Sequence, residues 1–278
     1  RDPASAEPGG SPFTMQWTAR LRQQQLAVAA IDASEPASWA ADAWQPCDDL
    51  LPEPAFCRHP PHHLADGRGL LPIYRSLEQG GAFGHDHSLV LPLNASGRPA
   101  SAAVAVPSCI GRVHGSIVAA ADGTTLLQFF RSRRADRIYR SHSRDQGASW
   151  SAPAPTDLPN NNSSIQALRL GSGRLAMIFN RFALHPEPVS GPWGEAAWPR
   201  SRWPLAIALS EDNGDSWPWI RNIDHGDGFC GDANWQLNGA LAYPSIVEGL
   251  PGELHIAYSW AGRLAIRYLC LQEAEILG

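Results

Sequence analysis

GHDHS places His85, Asp86 and His87 side by side. On a strand the two imidazoles would share one face, and His59, His62 and His63 lie upstream, so the first chemistry to consider is metal binding, whose ligands must converge at about 2.0 to 2.2 Å. No long-range partner spacing accompanies these residues, and Cys47, Cys57, Cys109, Cys230 and Cys270 contain no C-x-x-C pair. The sequence therefore predicts no metal and no cofactor, and the run reads as a polar strand entry. NNNSS, Asn160 to Ser164, offers Asn161 and Asn162 as amides able to bond sugar hydroxyls from a turn. A Pro-rich stretch carries Trp193, Trp198 and Trp203, whose rings could stack on a sugar. Two carboxylates, Asp145 and Asp212, recur in one pattern, S-x-D-x-G-x-x-W, at Ser143–Trp150 and Ser210–Trp217. There the carboxylate can accept backbone N–H groups of its own turn, the Gly supplies the unusual dihedral and the Trp packs back on the sheet. Both Asp residues are read as clasps of hairpins rather than as acids.

The elements that must position such groups follow from composition and repetition. At 278 residues, 44% hydrophobic and 18% charged, the chain has the composition of a globular protein long enough for one large β domain. Its 25 Gly, 24 Pro and 11 Trp point to many turns and short strands. The 22 basic residues are all Arg, the better partner for a carboxylate. A net charge of −5 and the lack of a basic stripe exclude a nucleic-acid footprint. No apolar run reaches the length of a membrane-spanning helix, and no signal peptide opens the chain. Oligomeric state and compartment stay open; if the protein is exported, Cys47 and Cys57 are the best sequence-local disulfide candidates.

Residues 1–14 read as a loose tail and 15–278 as a single domain. A short apolar run, a tight Gly turn and a second apolar run recur as HHLADGRGLLPIY, IVAAADGTTLLQFF, QALRLGSGRLAMIF and SIVEGLPGELHIAYSW. Asp66-Gly67 and Asp122-Gly123 are dipeptides favoured in two-residue hairpins, with Ser172-Gly173 and Pro251-Gly252 in the corresponding places. Each unit continues into a second strand pair, which predicts four-stranded antiparallel sheets repeated radially, an all-β propeller. A degenerate fifth unit, with Asp32 and Trp39 in the box positions, lies nearer the N-terminus.

The paired boxes within this repeat resemble the Asp-box (bacterial neuraminidase repeat) sialidase superfamily, from about His59 to Leu271. The stretch IYRSHSRDQGASWSAPAPTDLPNNNSSIQALRLGSGRLAMIFN is similar to a segment of sialidase-like members. The resemblance implies a sialidase-like propeller of about five or six four-stranded blades with part of the first blade lacking, and an axial site. In that family three arginines bind the substrate carboxylate, a Tyr paired with a Glu is the nucleophile and an Asp serves as acid/base. By resemblance Arg131 is the second arginine, with Arg133 its rival, Arg202 the third and Tyr243 the nucleophile. His114 stands where the family has its Glu, and a His there can assist the Tyr or act as a base itself. Nothing matches the first arginine or the acid/base Asp, for which Asp86 is a substitute. The implied activity is exo-α-sialidase-type hydrolysis of a terminal acidic sugar from a glycan, the expected partner. Its rivals are a related hydrolase of a uronate-linked glycan such as a rhamnose-glucuronate linkage, and a carbohydrate-binding propeller without turnover.

Overall fold

Apolar runs of six to eight residues between Gly turns fold as antiparallel strands packed face to face. The computed structural model describes residues 22–26, 44–52, 55–75, 85–191, 196–199, 202–226 and 240–278. A two-stranded sheet, β1 (Arg22–Leu26) with β2 (Trp44–Asp49), precedes a propeller arrangement of blades. The first blade has β3 (Phe56–Cys57) and β4 (His62–His63) as two halves of one inner edge, then β5 (Gly69–Arg75), β6 (His87–Leu93) and β7 (Val104–Ala105). The second has β8 (Arg112–Ala119), β9 (Leu126–Ser132), β10 (Arg137–Ser143) and β11 (Ala154–Pro159). The third has β12 (Gln166–Arg169), β13 (Leu175–Asn180), β14 (Leu205–Ser210) and β15 (Trp219–Asp224), and the fourth β16 (Ala242–Glu248), β17 (Glu253–Trp260) and β18 (Ala265–Gln272). A terminal turn of helix, α1 (Ala274–Leu277), sets Ile276 against the core between the third and fourth blades. Among the described residues no helix is long and apolar enough to cross a membrane.

The sequence expectation of about five or six blades therefore meets four blades among the described residues. The four match the four legible repeats, while Asp32 and Trp39 lie outside the described residues. The core lies between blades. Val118, Phe129 and Leu158 of the second blade interdigitate with Met177, Phe179 and Ala208 of the third. Ile178 and Ile207 of the third meet Ile246, Ile256 and Tyr258 of the fourth. Burial on both faces explains why β13 and β14 run apolar up to their last residues, Asn180 and Ser210, instead of alternating.

Both Asp boxes have the expected clasp. Asp212 Oδ1 accepts the Ser216 N–H at 2.8 Å and the Ser210 hydroxyl at 2.8 Å, Ser210 Oγ accepts the Gly214 N–H at 2.8 Å, and Gly214 has φ +82°. Asp145 repeats the geometry with Ser149, Ser143 and Gly147. The Trp reaches further than its own sheet: Trp217 meets Phe129 of the preceding blade edge-on at 6.2 Å, and Trp150 joins the cluster that contains Leu70 of the first blade. A Cβ on Gly214 would stand 3.1 Å from Phe129, so the glycine also serves the blade contact.

Two sequence expectations are corrected. The Asp122-Gly123 turn is a four-residue loop closed by Ala120 N–H to Thr125 O at 2.8 Å, and the Asp66-Gly67 turn is a three-residue loop: Gly67 N–H bonds Leu64 O at 3.0 Å and Leu64 N–H bonds Arg68 O at 2.8 Å. Only the glycine has positive φ, and Asp66 instead accepts the Arg68 N–H two residues on, as a short acidic side chain can without entering the left-handed region. Cys57 is an exposed free thiol, so it forms no bridge with Cys47; it stands at the end of the short strand β3, paired across to Ile73. Cys109 is a buried thiol and Cys270 an exposed one.

Candidate active site

The chain direction decides which residues can meet. In each blade the inner strand leaves one face of the propeller, and the connections β5–β6, β9–β10, β13–β14 and β17–β18 return to that face. Tyr74, Asp86, His114, Arg131, Arg133, Asn162, Trp198, Arg202, Tyr243 and Arg263 all lie at those strand ends or connections, whereas both Asp boxes lie at the opposite face. Arg58, His114, Ser164 and Tyr243 each stand nine residues ahead of a hairpin glycine, Gly67, Gly123, Gly173 and Gly252. This spacing is the sequence signal that would have found Arg58. Arg263 and Tyr74 carried no comparable mark.

His114 and Tyr243 occupy matching positions on β8 and β16. Both have φ +54°, both lie within a register shift, between Val113 and Ser116 and between Ala242 and Ser245, and Asn162 before β12 has φ +58°. The bulge turns the side chain out of the ladder toward the axis. Gly115 follows His114 because a Cβ there would lie 2.1 Å from the Gln128 amide nitrogen. The His114 ring lies 6.4 Å from that of Tyr243 and 5.2 Å from that of Tyr74, and its Nδ1 is 3.2 Å from Ser164 Oγ.

Guanidinium groups surround Tyr243. Those of Arg263, Arg202 and Arg58 are 5.2, 5.6 and 5.8 Å from its ring centroid. Arg58 also donates to the Tyr243 and Pro244 carbonyls at 2.9 and 3.0 Å, tying the first blade to the fourth. Burial pushes the Tyr243 phenol up, but the charges of Arg131, Arg202 and Arg263 outweigh it and leave the phenol below its ordinary value. Burial, then the neighbouring Arg131 and Arg133, hold His114 far below the usual imidazole range, so it is neutral at pH 7.

Arg131 and Arg133 differ in what they have been given. Arg133 is sealed against Asp86, Nη2 to Oδ2 at 2.5 Å and Nε to Oδ2 at 2.8 Å, with both side chains buried. Asp86 is thereby committed to an ion pair. Arg131 Nε donates to Asn162 Oδ1 at 2.7 Å, while Asn162 Nδ2 donates to Ala197 O at 2.7 Å, so this amide is engaged at both ends. Burial and the like charges of Arg133 and Arg202 bring Arg131 well below its ordinary value, and an incoming carboxylate would relieve that repulsion. Among the described residues neither Arg58, Arg131, Arg202 nor Arg263 forms an ion pair with a carboxylate. Trp198, 45% exposed, lies 5.5 Å from the Arg131 guanidinium and 5.1 Å from that of Arg133, which places its ring at the axial face. Trp203 is exposed and Trp193 lies outside the described residues. Asn161 is buried in the same turn as Asn162. His85, Asp86 and His87 do not converge as metal ligands.

The arrangement is thus a phenol eased toward ionisation among cations whose charge is not met by carboxylates of the described residues. The chain belongs to the BNR repeat-like domain family, whose model matches residues 14–256. No curated protein sequence matches it significantly. Solved structures share the fold: a Hadza microbial sialidase at 15% identity, TM-score 0.59, over 85% of this chain and 42% of that one. The NanB sialidase of Streptococcus pneumoniae follows at 14% identity, TM-score 0.60, over 84% and 34%. A protein of unknown function from Dyadobacter fermentans matches at 17% identity, TM-score 0.57, over 79% and 54%. The chain thus spans less than half the length of the two sialidases.

Proposed function

We propose that this protein is a retaining, sialidase-type glycoside hydrolase that removes a terminal acidic sugar from a glycan. The observation that carries the reading is the set of guanidiniums around Tyr243. Arg131 and Arg202 bind the sugar carboxylate, with Arg58 as the third cation, and Asn162 holds Arg131 in place. Asn161 lines the same turn. The Tyr243 oxygen attacks the anomeric carbon as the glycosidic C–O bond breaks, and its proton passes by way of the neutral His114 imidazole to the departing oxygen, which leaves as the free hydroxyl. Water then attacks the anomeric carbon, the tyrosine–sugar C–O bond breaks, and water's proton returns through His114 to the Tyr243 oxygen, with overall retention. A neutral phenol approaches an anionic substrate with less repulsion than a carboxylate would.

The finer architecture in this proposal is a single propeller over residues 15–278 preceded by a tail, with β1 and β2 as part of a fifth blade. A second reading is favoured by His114, a neutral imidazole at the axis where the sialidase pattern has Glu: hydrolysis of a uronate-linked glycan with His114 as the catalytic group. Hydrolysis of 4-methylumbelliferyl sialoside by wild type beside Tyr243→Phe tests the proposal. Turnover lost in the variant supports it. A folded wild type inert on the sialoside but active on a rhamnose-glucuronate substrate, with activity lost in His114→Ala, would replace it with the second reading, and inertness on both would leave binding alone.

A further inference from the structure

At the opposite face of the fourth blade, around the β16–β17 hairpin, Glu253, His255 and Cys270 bring a carboxylate oxygen, an imidazole nitrogen and a thiol sulfur within 4.8 Å of one another. The ladder forces this meeting: His255 pairs directly across from Cys270, and Glu253, two residues before His255, shares its face of β17. We infer that these three side chains form a binding site for a zinc-class divalent metal ion.

The donor set decides the class. A thiolate with an imidazole suits zinc or its neighbours in the transition series, whereas magnesium and calcium take oxygen. Three protein ligands on one strand pair leave a fourth tetrahedral position to water. His255 is already oriented for the task. Its Nδ1 lies 2.6 Å from the Tyr268 hydroxyl, an outer partner of the kind that fixes a metal-binding imidazole, so Nε2 is the nitrogen turned toward Glu253 Oε1 at 2.8 Å. Gly249 opens the space: a Cβ there would lie 2.4 Å from His255 Nε2. Glu253 and His255 side chains are each 29% exposed and Cys270 is exposed, so an ion can enter without rearranging the blade. Bound metal would clamp β18 to β17, far along the blade from Tyr243, and the inference does not depend on the proposed hydrolysis.

Cobalt(II) titration of the chelator-stripped full chain is the test. One equivalent should bind with a thiolate-to-cobalt charge-transfer band and tetrahedral d–d bands, both erased by zinc. Cys270→Ser should abolish the charge-transfer band and His255→Gln weaken binding at least tenfold, while Cys57→Ser leaves both unchanged. Tyr268→Phe should weaken affinity about tenfold or more with the same spectrum. Failure of the folded wild type to bind cobalt or zinc, or a charge-transfer band that persists in Cys270→Ser, would overturn the assignment.

Discussion

The two faces of the propeller place charge under opposite conditions. At the face of the Asp boxes, Asp145 and Asp212 point into their own turns: the Ser149 hydroxyl and N–H hold the Asp145 carboxyl below its ordinary value, and at Asp212 burial pushes the carboxyl up but the donors of Ser216 and Ser210 outweigh it and leave it lowered. At the axial face, Arg58, Arg131 and Arg202 crowd one phenol with no carboxylate of the described chain to meet them. Arg133 shows what completion looks like there: with Asp86 in place it has become structure. A charged group whose partners are all supplied by its own fold holds the fold, and one left short is available to a ligand.

The contrast can be broken most directly at Arg131. Arg131→Met keeps the bulk and removes the charge, and should lower kcat/KM on an acidic glycoside about a hundredfold or more, mainly through KM. If activity barely changes, Arg131 is scaffold like Arg133.

The next effect concerns acid. Burial, followed by the Arg58 charge, lowers His59 to about 3. The unfolded imidazole takes up its proton near pH 6.5 and the folded one only near 3. His59 stability is therefore fully present above about 6.5 and is lost as pH falls through that window, at up to about 1.4 kcal/mol per unit. Urea midpoints at pH 7 and pH 5 should fall less in His59→Asn than in wild type, and equal slopes would mean that other groups carry the acid sensitivity.

At the box face, Asp212→Ala removes the turn's acceptor and should cost about 1–2 kcal/mol in denaturant unfolding while kcat/KM per folded molecule stays constant. A large loss of activity with stability intact would erase the distinction between the faces. The smallest effect sharpens it: Arg202→Gln should raise the phenol titration of Tyr243, followed by ultraviolet absorbance, because Arg202 is one of the charges that lower it.

Much of this was legible in sequence where a local rule fixes the outcome. The S-x-D-x-G-x-x-W turns depend on atoms within eight residues and folded as read, and the repeated hairpins placed the four described blades. Choosing between Arg131 and Arg133 was beyond local reading, because the difference is Asp86, brought across from the first blade. Asn162 announced itself as a polar turn residue, yet what engages its amide comes from β9 and from Ala197. Arg58 escaped because its inner strand is broken by Pro60 and Pro61 into β3 and β4, which hides the repeat that the count to Gly67 preserves.

The left-handed backbone shared by His114, Asn162 and Tyr243 also limits what evolution can try at the axis. β-Branched residues are strained at such φ values, while Asn, Asp, His and Gly enter them at lower cost. His114 and Tyr243 stand in the same bulge with the same φ although their side chains differ, so an exchange of the reactive group there should leave the blade unchanged. The axis is in that sense a small set of sockets, open to new chemistry and closed to valine and isoleucine.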